Sequence, residues 1–378
     1  MPGSPRKYYA KESETLADSA TTITNLDINS PISAIDLLYE ATTGASSGRN
    51  HYLHQDVSRI EVVDGSDVLY SLNMKDGMAV NCYAHKKFPY MSIDERASTV
   101  NRETVRINFG RFLGDPEYYL NPNDFTNLQL KETHALTIAA DSGYGTGTGV
   151  LSVIVHLMEG DLPAPKAFLM NKEVFSYTSA ASGVQIIELP DDYPIRAMFL
   201  HSLEANVAID TDLSRVKMSL GMDKFIPFDT PIDHLISEMA DNFGVISYGL
   251  IMYCQNDDAH DLLYGVPLAI DTTNLLSSAS ILEVSATLVS MSGNRATFQV
   301  TEHNTASILT HLDYATDSVF HTEVAGYLPM NTLCWLFAPV GNEDWSIDVL
   351  PWKKGQVRIT DGGAGASNRL LLQQFRSK

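Results

Sequence analysis

Several short passages contain the residue types that chemistry needs, and each depends on what surrounds it. Gly44-Ala45-Ser46-Ser47-Gly48 has the Gly-x-Ser-x-Gly form of a serine nucleophile held on a sharp turn. Such a turn leaves a strand and opens a helix. Here Arg49-Asn50-His51 leads into more strand-like sequence, so a small inter-strand loop is expected. The glycine-rich run Gly143 to Gly149 has the look of a phosphate cradle. Cradles of that kind lie at a helix N-terminus, with Lys-Ser or Lys-Thr behind them. This run opens onto the apolar stretch Val150 to Leu157 and lacks the lysine, so a loop tip is expected.

His51, His54 and Asp56 are spaced closely enough to share a ligand. A zinc site needs three or four such ligands in fixed geometry. His134, His156 and His201 can join them only through the fold, so satisfied or solvent-facing histidines are expected. The acid pairs Asp191-Asp192, Asp257-Asp258 and Glu343-Asp344 fall in turn-like sequence. A glycosidase needs two carboxylates facing across a cleft, whereas adjacent acids in turns are ordinarily solvated. Asp257-Asp258 also has the oxygen donors that calcium prefers. Trp335, Phe337, Trp345 and Trp352 form an aromatic group that suits a sugar platform, or more commonly a sandwich core or interface. The expectation is a chain with no catalytic residue, no cofactor and no metal.

Composition narrows the classes further. The chain has 378 residues, 44% of them hydrophobic, which is ample for a core and long for one compact domain. Only 19% are charged, and the net charge is −20 from 26 basic and 46 acidic residues. Coating a nucleic acid requires clustered Lys and Arg. The largest basic group is Arg6 and Lys7 with Lys11 nearby, so no direct nucleic-acid binding is expected. Cys82, Cys254 and Cys334 are far apart and form no metal or disulfide pattern. The first twenty residues lack the apolar core of a signal peptide, and no apolar run is long enough to span a bilayer. A protein made and folded in a reducing cytoplasm is expected.

The elements that must position these residues are short and many. Ile35–Ala41, Arg59–Val63, Val68–Leu72, Val105–Phe109, Leu128–Leu136 and Val150–Leu157 read as strands. Val184–Leu189, Ile195–Leu203, Val216–Leu220, Tyr248–Cys254, Ile281–Val289, Ala296–Val300, Thr332–Val340 and Leu370–Phe375 continue the series. Turn-rich loops separate them, the pattern of a sandwich or barrel and not of βαβ units. Residues 1–25 are polar and read as an arm.

An internal echo organises this series. Sliding the chain by 156 residues lays Asp56–Asp67 over Asp212–Asp223 with five identities: Asp56/Asp212, Ser58/Ser214, Arg59/Arg215, Gly65/Gly221 and Asp67/Asp223. Average residue usage would give roughly one match in such a window. Ile60 and Val62 alternate with charged residues as Val216 and Met218 do, so both strands bury the same face. A glycine turn, a second strand and a helical stretch follow in each copy. In the second copy Ile232, Leu235, Ile236 and Met239 share one helix face, with Thr230 as N-cap and Pro231 at the first helical position. In the first, Met74, Met78 and Cys82 form a weaker stripe. The fold expected is all-β with short inserted helices: two tandem eight-stranded jelly-roll β-sandwiches. Its parts are an N-terminal arm (1–25), a first jelly roll (26–190) and a second (191–378), linked near Pro190–Tyr193.

The repeated unit resembles the double jelly-roll major capsid proteins of tailless, membrane-containing icosahedral bacterial viruses, the lineage of adenovirus hexon. Val105–Asp115, running on to Glu117–Leu120 and Phe125–Leu130, carries the same likeness, which in pattern spans 30–375. The resemblance implies a structural virion protein without catalytic residues. It implies a homotrimer of pseudo-hexagonal outline that tiles a shell, with penton or minor capsid proteins as partners and often an internal viral membrane beneath. It implies that the arm, through Arg6, Lys7, Tyr8, Tyr9 and Lys11, reaches a neighbour or that membrane. Cations and aromatics suit anionic headgroups. Two other readings fit a double β-sandwich: a hydrolase acting on glycans or glycoproteins, and a carbohydrate-binding attachment or spike protein.

Overall fold

The computed structural model describes residues 4–45, 51–92, 98–138, 142–203, 209–244, 246–255, 262–264, 284–292, 295–302, 306–313, 318–326 and 328–377. The first unit holds β1 (Ser4–Thr15), β2 (Ala20–Asn25), β3 (Ile32–Thr42), the one-turn helix α1 (Leu53–Asp56), β4 (Val57–Asp64), β5 (Asp67–Leu72) and helix α2 (Met74–His85). It is completed by the two-residue β6 (Met91–Ser92), β7 (Val100–Asn108), β8 (Leu128–His134) and β9 (Val150–Glu159). Alternation builds its core: Ile35, Leu37 and Tyr39 of β3, Leu151, Val153 and Val155 of β9, and Leu128 and Leu130 of β8 point inward and are buried. One sheet runs β1-β9-β3-β7-β6, and the facing strands run β2-β8-β4-β5.

The second unit repeats this plan. It contains β10 (Phe168–Thr178), β11 (Val184–Glu188), β12 (Ile195–Leu203), α3 (Ile209–Asp212), β13 (Leu213–Leu220), β14 (Phe225–Pro231) and α4 (Ile232–Phe243). After a long excursion come β21 (Thr332–Leu336), β22 (Gly355–Asp361) and β23 (Ser367–Arg376). Its two layers run β10-β23-β12-β21 and β11-β22-β13-β14. With the small β6 set aside, each unit places its first, eighth, third and sixth strands in one layer and its second, seventh, fourth and fifth in the other. Each is an eight-stranded jelly roll. Parallel pairing of β5 with β10, Tyr70 opposite Asn171 and Ser71 opposite Lys172, fuses one layer of each into a single eight-stranded sheet.

The internal echo falls on equivalent elements. The shift that carries α1 onto α3 also carries β4 onto β13. Ser58 Oγ donates to the Thr133 carbonyl of β8, and Ser214 Oγ donates to the Thr360 carbonyl of β22. Gly65 and Gly221 both sit at positive φ, 63° and 60°, in the hairpin turn that follows. That conformation favours glycine at both positions.

Four expectations are corrected. Residues 1–25 are not an arm where they are described: β1 pairs antiparallel with β9, and β2 with β8. β1 escapes a pattern reading because it is an edge strand exposed along nearly its whole length, so it carries no apolar alternation. The boundary near Pro190–Tyr193 moves back to the 160–167 connection, since β10 and β11 belong to the second jelly roll. The shared sheet buries both units alike, so no change in hydrophobic pattern marks the crossing. Third, Tyr248–Cys254, Ile281–Val289 and Ala296–Val300 lie in the excursion and not in the sandwich. There β15 (Ile246–Gln255), β16 (Leu262–Tyr264) and β20 (Ser318–Gly326) form one three-stranded sheet, and β17 (Val284–Ser292), β18 (Arg295–Glu302) and β19 (Ala306–Asp313) another. Last, Pro231, not Thr230, is the N-cap of α4.

Helix α2 explains its own weak stripe. Ten consecutive residues, Met74 to Tyr83, are buried, so the helix is covered all round and needs no single apolar face. A Cβ on Gly77 would lie 2.9 Å from both Tyr70 Oη and Val105 Cγ2. Gly77→Ala is therefore expected to destabilise by about 1–3 kcal/mol through overpacking, although alanine is the better helix former. Urea denaturation midpoints check this, and a midpoint equal to or above that of the parent would refute it.

Candidate functional site

For a protein with this architecture the sites that matter are the seam between the jelly rolls and the exposed ends. At the seam, Asn73 caps α2 by accepting from Asp76 N at 2.7 Å, and its amide donates to Asp76 Oδ2 at 2.8 Å. Asp76 is fully buried, and Arg369 of β23 grips both its oxygens at 2.7 and 3.0 Å. Burial lowers the Arg369 guanidinium pKa, but Asp76 outweighs burial and leaves it raised. His201 of β12 lies 3.7 Å from Asp76, and burial holds it well below the ordinary histidine range, so it is neutral. The Tyr83 hydroxyl donates to the Thr332 carbonyl, and its ring meets Phe243 edge-on at 4.7 Å. One helix of the first jelly roll is thus locked to four elements of the second.

A second clamp joins the β7–β8 connection to the β21–β22 connection. Arg111 binds Asp115 in bidentate fashion (2.6 and 2.9 Å), Glu117 at 2.9 Å, and Glu343 across the seam. Burial alone would raise the Glu343 carboxyl, but the Gly341 N–H and Arg111 hold it at about 2. The Arg111 guanidinium lies 4.2 Å over the Tyr118 ring.

The residues singled out from sequence are dispersed. Ser46 and Asp257-Asp258 lie outside the described residues. The glycine-rich loop gives its Gly147 N–H to Asp18 Oδ1 at 2.6 Å, a carboxylate from its own chain, and runs straight into β9. His51 meets Asp56 at 3.0 Å, and His54 Nδ1 meets Glu103 at 2.7 Å. Glu103 also accepts from the Leu53 and His54 backbone N–H groups, so it caps α1. His134 sits opposite Val57, at the same end, while His156 joins Asp36 on the other side of the sheet. Among the described residues no three His, Cys, Asp or Glu side chains are placed to hold an ion. The aromatic group divides: Trp335 is buried and stacks on Phe228 at 5.0 Å, with Phe337 behind that ring, whereas Trp345 and Trp352 are exposed. Asp192 accepts from Gln374 Nε2 at 3.0 Å. Arg6 pairs with Glu159 at 3.0 Å, the half-buried Lys11 pairs with Glu14 at 2.8 Å, and Tyr8 and Tyr9 are exposed on β1.

Sequence reading missed Asp76, Arg369, Arg111 and Glu132. Glu132 had a visible signal, since the alternation Leu128, Leu130, Glu132, His134 turns it inward. It is fully buried, neither carboxylate oxygen has a hydrogen-bond partner among the described residues, and burial pushes its pKa up to about 8. A carboxylate of that kind in a cleft would fit an acid catalyst, but Glu132 is sealed in the sandwich core. A cavity of about 380 Å³ beside α2 contains Asp36 instead. Burial raises that carboxyl, yet Arg106 (2.5 and 2.7 Å) and His156 hold it at about 2, the wrong state for a general acid.

Comparison of this architecture with solved structures finds the same plan in viral coats. The major capsid protein of STIV, the Sulfolobus turreted icosahedral virus, superposes with a TM-score of 0.60 at 9% identity, over 99% of this chain and 97% of that one. The major capsid protein P2 of bacteriophage PM2 gives 0.52 at 11%, over 99% of each chain. VP54 of PBCV-1 gives 0.56 at 9%, over 98% of this chain and 93% of its own. The fold is the double jelly roll. No family model matches the sequence, and no curated protein matches it either. At identities near 10% the likeness is one of fold.

Proposed function

We propose that this chain is the major capsid protein of an icosahedral virus, a structural protein without catalytic function. It trimerises into pseudo-hexagonal capsomers, and the capsomers tile the shell of the virion. The observation that carries the reading is the pair of jelly rolls of identical strand order fused through one eight-stranded sheet. That plan is matched over almost the full length of both chains in capsid proteins. Two similar halves joined by one sheet would give three chains six nearly equivalent corners. The acidic surface keeps free capsomers apart until assembly. Penton or minor capsid proteins would fill the positions that trimers cannot, and an internal viral membrane would be a further partner. The chain would be made in the host cytoplasm, and its charge balance argues against direct nucleic-acid contact.

Arg6, Lys7, Tyr8 and Tyr9 suit contact with a neighbouring capsomer, since they lie along an exposed edge strand. Lys11 does not, because its side chain is turned in beside Glu14.

Light scattering across concentration tests the proposal. The expected mass is that of a trimer of the 41.6 kDa chain, with larger assemblies at high concentration or altered salt. Tyr8→Ser/Tyr9→Ser should leave the trimer intact and weaken the larger assemblies. A strict monomer at every concentration would overturn the reading and favour a glycan-directed hydrolase or an attachment protein.

A further inference from the structure

The seam between the jelly rolls holds a small polar chamber of about 20 Å³. The first half lines it with Asn81, Arg106 and Asn108, and the second with Asn171, Arg196 and Gln373. Local structure aims these groups at the seam. Arg106 and Asn108 alternate with the core residues Val105 and Ile107 along β7, so they leave by its outer face. Asn81 of α2 meets the Arg106 backbone twice, donating to its carbonyl at 2.7 Å and accepting from its N–H at 2.8 Å. Arg196 is the extra residue of a bulge in β12. The register slips between Ile195 and Ala197, and the Arg196 carbonyl accepts from the N–H groups of both Phe337 and Ala338. A bulge re-aims the side chain that it carries.

Two of the lining residues keep unmatched polar atoms. Arg196 Nη1 donates to Gln373 Oε1, and Gln373 Nε2 donates to Asn171 Oδ1 at 2.9 Å. Arg196 Nε, by contrast, is sealed from solvent and has no hydrogen-bond partner among the described residues. The same holds for both polar atoms of Asn108, a residue only 9% exposed. Among the described residues no carboxylate lines the chamber. Asp36 holds Arg106, and Asp115, Glu117 and Glu343 hold Arg111, which also reaches the chamber wall. Arg196 is the one lining arginine without an ion pair among the described residues. Burial pulls its guanidinium below the ordinary arginine range. Cys334, Glu343 and Asp115 act the other way, Arg111 acts against them, and burial prevails.

We propose that the chamber binds a single chloride ion, held by Arg196 and the Asn108 amide, as a bridge between the two jelly rolls. An arginine stays protonated in a protein, and a charge removed from water needs a counter-charge close by. A water molecule would serve Asn108 and leave the Arg196 charge unmatched. The chamber has room for one water-sized occupant, so a monatomic anion enters and phosphate, sulfate or an organic acid does not. The ion touches both halves, so it binds the closed seam and not the unfolded chain. Chloride therefore stabilises the fold by mass action.

Thermal melts of the full chain in sodium chloride and in sodium gluconate of equal ionic strength test it. The melting temperature is expected to rise by about 2–4 °C more in chloride than in gluconate as salt goes from millimolar to molar. Asn108→Asp places a carboxylate in the chamber with Arg196. It should erase the chloride-specific rise and leave the melting temperature in gluconate at or above that of the parent. Arg196→Met should erase the rise as well. Crystals of the unaltered chain grown in sodium bromide give a readout that no substitution can disturb. An anomalous peak within hydrogen-bond distance of Arg196 is expected there. Equal responses to chloride and gluconate, a chloride-specific rise that survives Asn108→Asp, or a chamber holding water alone in bromide would each overturn the proposal.

Discussion

Glu132→Gln is expected to stabilise the protein by several kcal/mol at alkaline pH and to flatten its stability profile between pH 4.5 and 8. Glu132 lies in the core of the first jelly roll, with its pKa raised by burial from 4.5 to about 8. Lys11 pulls that value down and Glu14 pushes it up, and neither reverses the effect of burial. Above pH 4.5 the unfolded chain gives up a proton that the folded chain keeps. Stability therefore falls as pH rises and levels off only when the folded carboxyl ionises as well. A shift of this size corresponds to about 5 kcal/mol over the whole window, an upper figure because the core can relax around the charge. Glutamine keeps the shape and cannot ionise. Urea midpoints of parent and variant should diverge steadily from pH 4.5 to 8. Parallel profiles would show that Glu132 finds a partner in solution.

Arg369→Met should cost about 3–5 kcal/mol, the scale for removing one partner of a buried ion pair. Its methylenes are replaced, but Asp76 is left fully buried with the Asn73 amide as its close hydrogen-bond donor and the neutral His201 at 3.7 Å. Adding Asp76→Asn to that variant should recover much of the loss, because the buried carboxylate left without its arginine is then gone. The pair spans the two jelly rolls, so Arg369→Met should also lower the cooperativity of urea unfolding as the halves begin to melt separately. A single transition with an unchanged midpoint would mean that hydrophobic contacts such as Tyr83 on Phe199 and Phe243 hold the seam without the ion pair.

Much of the architecture was legible in local pattern. The strands of the first jelly roll appear as alternation because one face of each is buried and the other wet. The echo of Asp56–Asp67 in Asp212–Asp223 located the same hairpin in both halves, since the turn demands glycine at positive φ in each. Helix α4 was visible from Ile232, Leu235 and Met239 because it buries one face. Helix α2 was faint for the opposite reason, being buried on every side. Strand β1 was invisible because an exposed edge strand has no buried face to mark it. The candidate sites followed the same logic. Local context was enough to read Gly143–Gly149 as a loop leading into β9. The aromatic group was not separable, since whether Trp335 packs inside or Trp352 stands outside depends on which strands meet.

An acidic, two-part, all-β chain with repeated strand–turn–strand–helix units can be read from residue order alone, because those features depend on spacing within a few turns of backbone. The three-dimensional fold was needed to reveal that β5 and β10 join the halves into one sheet, and that an excursion between α4 and β21 interrupts the second sandwich. It alone placed Asp76 opposite Arg369, Arg111 opposite Glu343, and Phe225 on Trp352. Each of these pairs is far apart in sequence, and their meeting depends on long-range strand pairing, which leaves no periodic trace in the chain.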